Sequence, residues 1–300
     1  MMSSVLSALL LGMPPLLATT PLDATVTLQE MRIAPPAEKL TIDRHLSASG
    51  VLVMDLQTGQ PLFEEQADIA RPMASLTKLM TALIIVEHHP MNEWVKIPEG
   101  IADTRGSVAY LPPGEHFTVG NLLSALLIAS ANDAAVALAQ HHSGSTGAFV
   151  KEMNERAKVL GLRATSYANP TGLDDPRQWS PPRDLAWLAT FVQRYPDISE
   201  RMKKHGVTIT SREGQALVLT HTHALVRDPT SSVIAGKTGT TDAAEQCLVS
   251  LVEEEDRKYV VVLEHSLARY TDMGVILKAL IGRDIVPVLP EDNSALPAGH

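Results

Sequence analysis

A serine and a lysine three positions apart stand at the start of an apolar stretch. Ser75 and Lys78 directly precede the apolar run 79–86, and on a helix residues at this spacing lie on one face. A serine hydroxyl is a weak nucleophile until a base takes its proton, and a neutral lysine amine can act as that base. Because Pro72 disfavours a helix start before about Met73, Ser75 falls in the first turn, where backbone N–H groups favour negative charge. The pair predicts nucleophilic catalysis, although the same spacing also occurs on ordinary helix surfaces.

Two further short motifs follow this pair along the chain. They are Ser130-Ala131-Asn132 and Lys237-Thr238-Gly239-Thr240. Taken alone, the first is typical of a turn or helix cap and the second of a turn beside a strand. Together with Ser75 and Lys78, however, they supply a hydroxyl relay, an amide and a second ammonium group in the order found in acylating active-serine enzymes. The combination predicts an enzyme that forms an acyl intermediate on Ser75.

The composition of the chain is that of a folded globular protein. Its 300 residues are 45% hydrophobic, which is enough to build the core of one large or two small domains. The formal net charge is −9 and the sequence has no basic run. This argues against binding to nucleic acid or to an anionic membrane surface, because both need clustered Lys and Arg. Cys247 is the only cysteine, so no internal disulfide can form.

The two ends of the sequence differ from its middle. Residues 1–20 are largely apolar, contain Pro14-Pro15 and end in small residues. This segment resembles the hydrophobic part of a secretory signal, although no Lys or Arg precedes Arg32, and it is too short and proline-broken to span a membrane. We therefore expect export to the periplasm or cell envelope, with no transmembrane helix in the mature chain. Residues 21–46 are predicted as a linker and residues 286–300 as a loose tail.

Apolar periodicity divides the rest of the chain into strands and helices. Runs rich in β-branched residues predict strands at 50–56, 61–64, 207–210, 216–219, 247–252 and 259–263, of which the last two are expected to form a hairpin. Apolar runs bounded by capping or breaking residues predict helices near 73–86, 118–128, 134–140, 148–160, 183–194 and 270–281. Thr118 is the predicted N-cap of the second helix, and Ser145 or Thr146 that of the fourth. The early and late strands are expected to form one mainly antiparallel sheet, with a helical cluster between them in sequence. The predicted fold class is therefore α+β.

Longer stretches around the three motifs resemble a known family, the D-alanyl-D-alanine carboxypeptidases and endopeptidases, which are low-molecular-mass penicillin-binding proteins. The resemblance covers about residues 45–282, and its matching stretches are 73–82, 129–139, 169–173 and 237–239. It implies a β-lactamase/transpeptidase-like fold, in which an antiparallel sheet packs with a mainly helical cluster and the active site lies between them. The D,D-peptidase domain is expected to span residues 47–285.

The resemblance also implies a role for each motif residue. Ser75 attacks the penultimate D-alanine carbonyl of a peptidoglycan stem peptide, Lys78 takes its proton, and Ser130 relays a proton to the leaving amine. Substrate binding is implied for Asn132, Lys237, Thr238, Gly239 and Thr240. The backbone N–H groups of Ser75 and Thr240 would form the oxyanion hole. Lys78 can act as a base only when neutral, which requires burial or a nearby positive charge. Since penicillins resemble the D-Ala-D-Ala end, β-lactams are expected to inhibit by acylating Ser75. No cofactor is implied.

Two positions depart from the family pattern. His221-Thr222-His223 stands where the family often has Asn-x-Asn, and Ala244-Glu245 stands where it usually has Ala-Gly. The histidines leave substrate contacts at that point open. A charged Glu245 beside the active-site strand is expected to alter the cleft or the packing of that strand. Neither departure touches the acylation residues, so the predicted reaction type stands.

Six of the eleven histidines occur in pairs that could be metal ligands. These are the neighbouring pairs His88-His89 and His141-His142 and the alternating pair His221 and His223. Such pairs rarely converge on one ion without a third ligand, and the sequence has no His-Glu-x-x-His motif. The sequence therefore predicts no metal site.

Two other functions are compatible with parts of the pattern. A class A-like β-lactamase shares the three motifs, but it deacylates with a glutamate on a loop whose counterpart here, residues 164–178, has Asp174 and Asp175 and no Glu. A non-catalytic module that senses peptidoglycan or β-lactams would not need a base beside Ser75. Within the peptidase family, the short stretch after Lys237 slightly favours the endopeptidase-like branch, but it does not decide which bond is cut.

Overall fold

Nine β-strands lie within residues 39–282, the part of the chain that a computed structural model describes. Their bounds are β1 (Gly50–Asp55), β2 (Pro61–Glu65), β3 (Trp94–Lys96), β4 (His116–Thr118), β5 (Gly206–Thr210), β6 (Ala216–Thr220), β7 (Val233–Thr241), β8 (Glu245–Glu254) and β9 (Arg257–Ser266). Five strands form the main antiparallel sheet in the order β2-β1-β9-β8-β7. The predicted signal-like segment and tail, and most of the predicted linker, lie outside the described residues.

The strand pair β5–β6 corrects one expectation about the sheet. Both strands form where the sequence predicts them, but they pair with each other as a separate two-stranded sheet rather than joining the main one. The outer place in the main sheet is taken by β7, which carries the Lys237 motif and pairs along its length with β8. The motif therefore lies on an edge strand, where one side of the backbone is open to a partner.

Eight α-helices lie within the same described residues. Their bounds are α1 (Lys78–His88), α2 (Val119–Ile128), α3 (Asn132–Ser143), α4 (Thr146–Val159), α5 (Pro182–Val192), α6 (Pro196–Lys203), α7 (Ala224–Arg227) and α8 (Arg269–Ile281). The sequence reading missed α6 and α7, although Pro196 at the first helical position was a usable signal for α6. Within residues 39–282, no helix is both long and apolar enough to cross a membrane.

Two helix starts follow directly from capping side chains. The Thr118 hydroxyl accepts the backbone N–H of Asn121 at 3.1 Å, as the predicted cap of α2 should. The Ser145 hydroxyl accepts the N–H of Ala148 at 3.1 Å and starts α4. The preceding helix, α3, ends at Gly144 in the left-handed conformation, which a glycine adopts without strain.

The two faces of the main sheet belong to two separate apolar cores. Along β1, Val51 and Val53 pack into the core that holds α8, whereas Leu52 between them packs into the core of the helical cluster. This alternation is the two-residue period of a strand buried on both faces. Helix α1 lies deep in the helical cluster, since every residue from Lys78 to Ile85 is buried. The predicted α+β arrangement is confirmed, and it fixes α1 rigidly beside the sheet.

Candidate active site

Ser75 and Lys78 lie at the junction of two helical segments. Ser75 belongs to a 3₁₀ turn, Ala74–Thr77, and α1 begins only at Lys78. The serine therefore lies in the 3₁₀ turn directly before the α-helix, and not in the first turn of the α-helix as predicted. Its Oγ is 2.8 Å from the Lys78 Nζ, so the three-residue spacing does bring the two groups together. Ala74, directly before the serine, has a φ of +47°. Such backbone strain is common at functional sites.

Lys78 is completely buried and its amine is held by three oxygen atoms. Besides the Ser75 Oγ, the Nζ contacts Asn132 Oδ1 at 2.6 Å and the Thr171 carbonyl oxygen at 2.5 Å. Burial, followed by the charge of Lys237, lowers the pKa of Lys78 well below its ordinary value of 10.5. A neutral amine has two N–H groups and one lone pair. Asn132 and Thr171 match the two N–H groups, which leaves the lone pair for the hydroxyl proton of Ser75.

Ser130 occupies a strained turn directly before α3. Its φ is +58°, and the turn is held by backbone bonds from Ala131 N–H to the Ala125 carbonyl at 3.0 Å and from Asn132 N–H to the Ser107 carbonyl at 2.7 Å. These two hydrogen bonds hold Ser130 in its strained backbone conformation. In this conformation the Ser130 hydroxyl lies 2.7 Å from the Lys237 Nζ. Ser130 thus lies beside the second lysine.

Asn132 is the first residue of α3, which begins two residues earlier than the predicted helix at 134–140. This placement matters because the Asn132 side chain then projects toward Lys78. Its Oδ1 accepts from the Lys78 amine, and its Nδ2 donates to the Arg105 carbonyl at 2.6 Å. Both ends of the amide are engaged, so Asn132 holds the orientation of the base as well as lining the cleft.

Strand β7 brings the Lys237 motif against the nucleophile. A Cβ on Gly239 would fall 2.8 Å from the Ser75 backbone nitrogen, so only a glycine allows this approach. Lys237 is fully buried and donates to Ser130 Oγ and, at 2.8 Å, to the Thr238 carbonyl. Burial and then the charge of Arg269 lower the pKa of Lys237 to about 7. Hydrogen bonds thus join Ser75, Lys78 and Asn132 in one group and Ser130 and Lys237 in another, and Gly239 brings β7 against Ser75.

The loop between α4 and α5 supplies contacts that the motifs do not reveal. Gly172 has a φ of +91°, and a Cβ there would fall 2.1 Å from the Ala74 carbonyl oxygen. Any side chain at Gly172 would therefore push the loop away from the 3₁₀ turn that holds Ser75. The preceding residue, Thr171, gives its carbonyl to Lys78. The stretch 169–173 carried the family resemblance but no predicted role.

Arg269 is a further site residue that the sequence reading missed. At the start of α8, its guanidinium donates to the Gly239 carbonyl at 2.8 Å and to Thr240 Oγ1 at 2.6 Å. It also lowers the pKa of Lys237 through its charge. No motif surrounds Arg269 in the sequence. Its position at the site depends on the path of β9, which places the start of α8 beside the end of β7. It adds a second cation to the β7 side of the cleft.

Two cavities adjoin the loop that holds Lys78. One of about 470 Å³ is lined by Arg105, Asn169 and Thr171 among others. A second of about 310 Å³ is lined by Ala74 and Gly172, on the nucleophile side. Both volumes suit parts of a peptide-sized ligand. Neither lining includes Ser75, Lys78 or Ser130, so the two cavities lie beside the reacting groups rather than around them.

The loop at 164–178 also bears on the β-lactamase alternative. Of its two aspartates, Asp174 accepts the backbone N–H of Ala243 at 3.1 Å and Asp175 pairs with Arg177 at 2.7 Å. The group that this loop presents to Lys78 is the Thr171 carbonyl, which cannot act as a base at neutral pH. The deacylating carboxylate of a class A-like enzyme therefore has no counterpart among the described contacts of this loop.

His221 and His223 turn away from the cleft. Both are buried, and a Cβ on Gly236 would fall 2.5 Å from the His223 ring. Burial lowers the pKa of His221 to about 3 and that of His223 well below its ordinary value. The residue between them is the one at the site, since Thr222 Oγ1 accepts from Thr238 Oγ1 at 2.6 Å. The departure from Asn-x-Asn therefore supplies packing through two neutral histidines and a hydroxyl through Thr222.

Glu245 begins β8 and has a φ of +53°. Its carboxylate lies 3.7 Å from His265 Nε2, and its backbone pairs with Thr241 at the end of β7. The left-handed conformation explains a family preference for glycine here, because only glycine adopts it without cost. Glu245 therefore strains the turn between β7 and β8, beyond the Lys237 motif, rather than filling the cleft.

Glu245→Gly is expected to raise the free energy of unfolding by up to about 1 kcal/mol, because glycine removes the cost of the left-handed backbone. Urea denaturation of both proteins measures the change. Glu253→Gly is the matched control, since Glu253 lies in the same strand with an ordinary φ and should lose stability. A Glu245→Gly protein that is clearly less stable would contradict the strain.

The sequence of this chain is similar to those of known D-alanyl-D-alanine peptidases. Residues 36–266 match the Peptidase S11 family model, described as D-alanyl-D-alanine carboxypeptidase. A D-alanyl-D-alanine endopeptidase of Pseudomonas aeruginosa is 32% identical over 242 residues, which are 79% of this chain and 77% of that protein. The D-alanyl-D-alanine carboxypeptidase DacF of Bacillus subtilis is 34% identical over 224 residues, 73% of this chain, but the chain spans only 57% of DacF.

A solved structure gives the same assignment. The crystal structure of a D-alanyl-D-alanine carboxypeptidase from Mycobacterium tuberculosis has a TM-score of 0.76 and 25% identity, over 83% of this chain and 96% of that one. The predicted penicillin-binding-protein fold is thereby confirmed. Since the family match covers more than half of the chain, the chain belongs to the D-alanyl-D-alanine carboxypeptidase family and is a serine-type D-Ala-D-Ala peptidase, as its motifs predict.

Proposed function

We propose that this peptidase cleaves D-Ala–D-Ala bonds of peptidoglycan stem peptides through an acyl-enzyme on Ser75. The observation that carries the proposal is the position of the Lys78 amine. It lies 2.8 Å from the Ser75 Oγ, is completely buried, and has its two N–H groups matched by Asn132 and Thr171. A free amine in that position is the base that a serine nucleophile needs.

Acylation follows from this arrangement. The Lys78 amine removes the Ser75 proton while Oγ attacks the carbonyl carbon of the penultimate D-alanine. The negative charge that develops on the carbonyl oxygen is stabilised by the Ser75 and Thr240 backbone N–H groups. Gly239 makes this possible because its lack of a side chain lets β7 approach the 3₁₀ turn that holds Ser75. Each preorganised donor of this kind lowers the activation free energy by about 2.7–4 kcal/mol.

Release of the leaving group needs a proton at its nitrogen. The Ser130 hydroxyl can donate one and recover another, and it lies 2.7 Å from the Lys237 Nζ. As the peptide C–N bond breaks, the proton passes to the leaving amine and the acyl group stays on Ser75. Water then adds to the ester carbonyl and gives up one proton. The ester C–Oγ bond breaks, Ser75 Oγ takes back the proton that Lys78 holds, and the acid product departs.

The cationic side of the cleft suits the carboxylate end of a stem peptide. Lys237 lies in β7, and Arg269 donates to Thr240 Oγ1 of the same strand at 2.6 Å. Guanidinium and ammonium groups bind carboxylates through charge-assisted hydrogen bonds. The open edge of β7 would pair with the extended substrate backbone. The same contacts suit β-lactams, which would acylate Ser75 as inhibitors.

The substrate also bears on the location of the enzyme. Peptidoglycan lies outside the cytoplasmic membrane, so the enzyme is assigned to the periplasm or cell envelope. Support comes from the family match and from the secretory-like composition of residues 1–20.

The domain that carries out the reaction is assigned to residues 47–285, flanked by the linker at 21–46 and the tail at 286–300.

Incubation with a stem pentapeptide and with a cross-linked muropeptide dimer, followed by mass spectrometry, tests the proposal. Loss of one D-alanine from the pentapeptide identifies a carboxypeptidase, and conversion of dimer to monomers identifies an endopeptidase. Ser75→Ala is expected to abolish either product, because the acyl group then has no acceptor. The proposal fails if products persist in Ser75→Ala, or if a chromogenic β-lactam is turned over rapidly while both peptides stay intact.

A further inference from the structure

Helices α1 and α3 lie side by side and are joined at both ends. At their N-termini, Lys78 and Asn132 make the 2.6 Å contact of the active site. At their C-terminal ends, the two histidine pairs meet, with His89 Nε2 2.8 Å from His142 Nδ1. The histidine pairs that are distant in sequence are therefore neighbours in space. They form a cluster at the far end of the helices that carry the catalytic residues.

A carboxylate completes this cluster. Glu93, just before β3, places Oε2 2.9 Å from His89 Nδ1 and Oε1 2.8 Å from His141 Nε2. Suitable ligand atoms of these three residues all lie within 4.8 Å of one another. No metal site was expected from the sequence because histidine pairs alone lack a third ligand, and Glu93 supplies that third ligand.

We propose that His89, Glu93 and His141 bind a divalent transition-metal ion of the zinc type. Two imidazole nitrogens and one carboxylate form a ligand set that suits Zn²⁺, with water in the remaining position. Binding of the ion displaces into solvent the protons of the hydrogen bonds between Glu93 and the two imidazoles. The carboxylate oxygens and the ring nitrogens then turn toward the ion. Small side-chain rotations are sufficient, because the three residues already face one another.

The surroundings of His89 favour metal binding through Nδ1. Its Nε2 lies against His142 Nδ1, and the other nitrogen of His142 lies 2.7 Å from Glu152 Oε2. With one proton on each ring, His89 Nε2–H donates to His142 and His142 Nε2–H donates to Glu152. The lone pair of His89 Nδ1 then points to the metal position. Such chains of outer partners fix the ring orientation of metal-binding histidines.

The location in the fold also favours a cation. His89 follows the last residue of α1, and His141 lies in the last turn of α3. The carbonyl ends of helices carry partial negative charge and stabilise positive charge nearby. The eleven residues of α1 place the cluster about 16 Å from Lys78 at 1.5 Å per residue. The ion therefore does not take part in the reaction; it braces the two helices that hold Lys78 and Asn132.

Calorimetric titration of untagged, chelator-treated protein with Zn²⁺ tests this site. We expect one ion per chain and a higher melting temperature with Zn²⁺ than without it. Glu93→Gln and His141→Gln should remove binding, and His142→Gln should weaken it by about 10–100-fold, as loss of an outer-shell partner does. His88→Gln is the matched control, because His88 Nδ1 is engaged with its own helix at the Ile84 carbonyl, and it should bind Zn²⁺ normally.

Absorption of the Co²⁺-loaded wild-type protein gives a readout that needs no variant. A four-coordinate site with nitrogen and oxygen ligands is expected to show visible bands, which added Zn²⁺ should remove. The proposal is overturned if the wild-type protein binds neither ion, or if binding persists in both Glu93→Gln and His141→Gln. Penicillin labelling of Ser75 is measured in parallel, so failure of this site is distinguishable from failure of the peptidase assignment.

Discussion

Lys78→Ala is expected to slow the acylation of Ser75 by penicillin about 10²–10⁴-fold at pH 7, the range for removal of a positioned general base. Without the amine, no described group at hydrogen-bond distance from Ser75 Oγ can take its proton at that pH. The serine itself stays in place, because its 3₁₀ turn packs against Gly172 and Gly239. The rate of labelling by a fluorescent penicillin, resolved on a gel over time, measures the effect.

The control for this change removes a lysine from a helix surface. Lys158 is exposed on α4, and Lys158→Ala should label at the wild-type rate. The melting temperature of Lys78→Ala must also be measured, because the substitution removes a buried side chain. A folded Lys78→Ala protein that labels as fast as wild type would show that another group takes the Ser75 proton.

Lys237→Gln is expected to move the pH profile of acylation to higher pH. Burial and then the positive charge of Lys237 lower the pKa of Lys78. Without that charge the ammonium form of Lys78 is less disfavoured, so its pKa rises and less free amine is present at pH 7. Below the pKa, the acylation rate falls about tenfold for each pH unit by which the pKa rises. Labelling rates between pH 6 and about 10 locate the midpoint of each profile.

The design of this test separates charge from loss of a hydrogen bond. A glutamine at position 237 can still donate to Ser130, whereas Lys237→Arg keeps the positive charge as well. Lys237→Arg should therefore retain a profile closer to that of wild type. In the wild-type protein, the pKa of about 7 for Lys237 also means that its charge declines above neutral pH. An unchanged midpoint in Lys237→Gln would mean that burial alone keeps Lys78 neutral.

Local patterns predicted much of the fold because several elements carry their own start and stop signals. Thr118 and Ser145 cap their helices as expected, and the strands of the late hairpin, β8 and β9, pair as predicted. The failures fall where long-range packing decides. Strands β5 and β6 have the same β-branched composition as the others, but nothing in their sequence says which sheet they join.

The histidines give the same lesson for sites. The sequence patterns of the histidine pairs are similar, but their surroundings differ. His221 and His223 are buried, whereas His89 and His141 face Glu93 from the ends of two different helices. Spacing along the chain describes only residues on one element, so it could not predict a ligand set drawn from three segments. Glu93 had no local pattern that would have singled it out.

The sequence by itself determined the family, the reaction type and the identity of the residues around Ser75. It could do so because a serine and a lysine three positions apart must be neighbours on a helical turn, whatever surrounds them. The tertiary structure decided whether that lysine is neutral. The charge of Lys237 and the two acceptors at Asn132 and Thr171 come from three distant segments. A pKa depends on what lies around a group in space rather than along the chain.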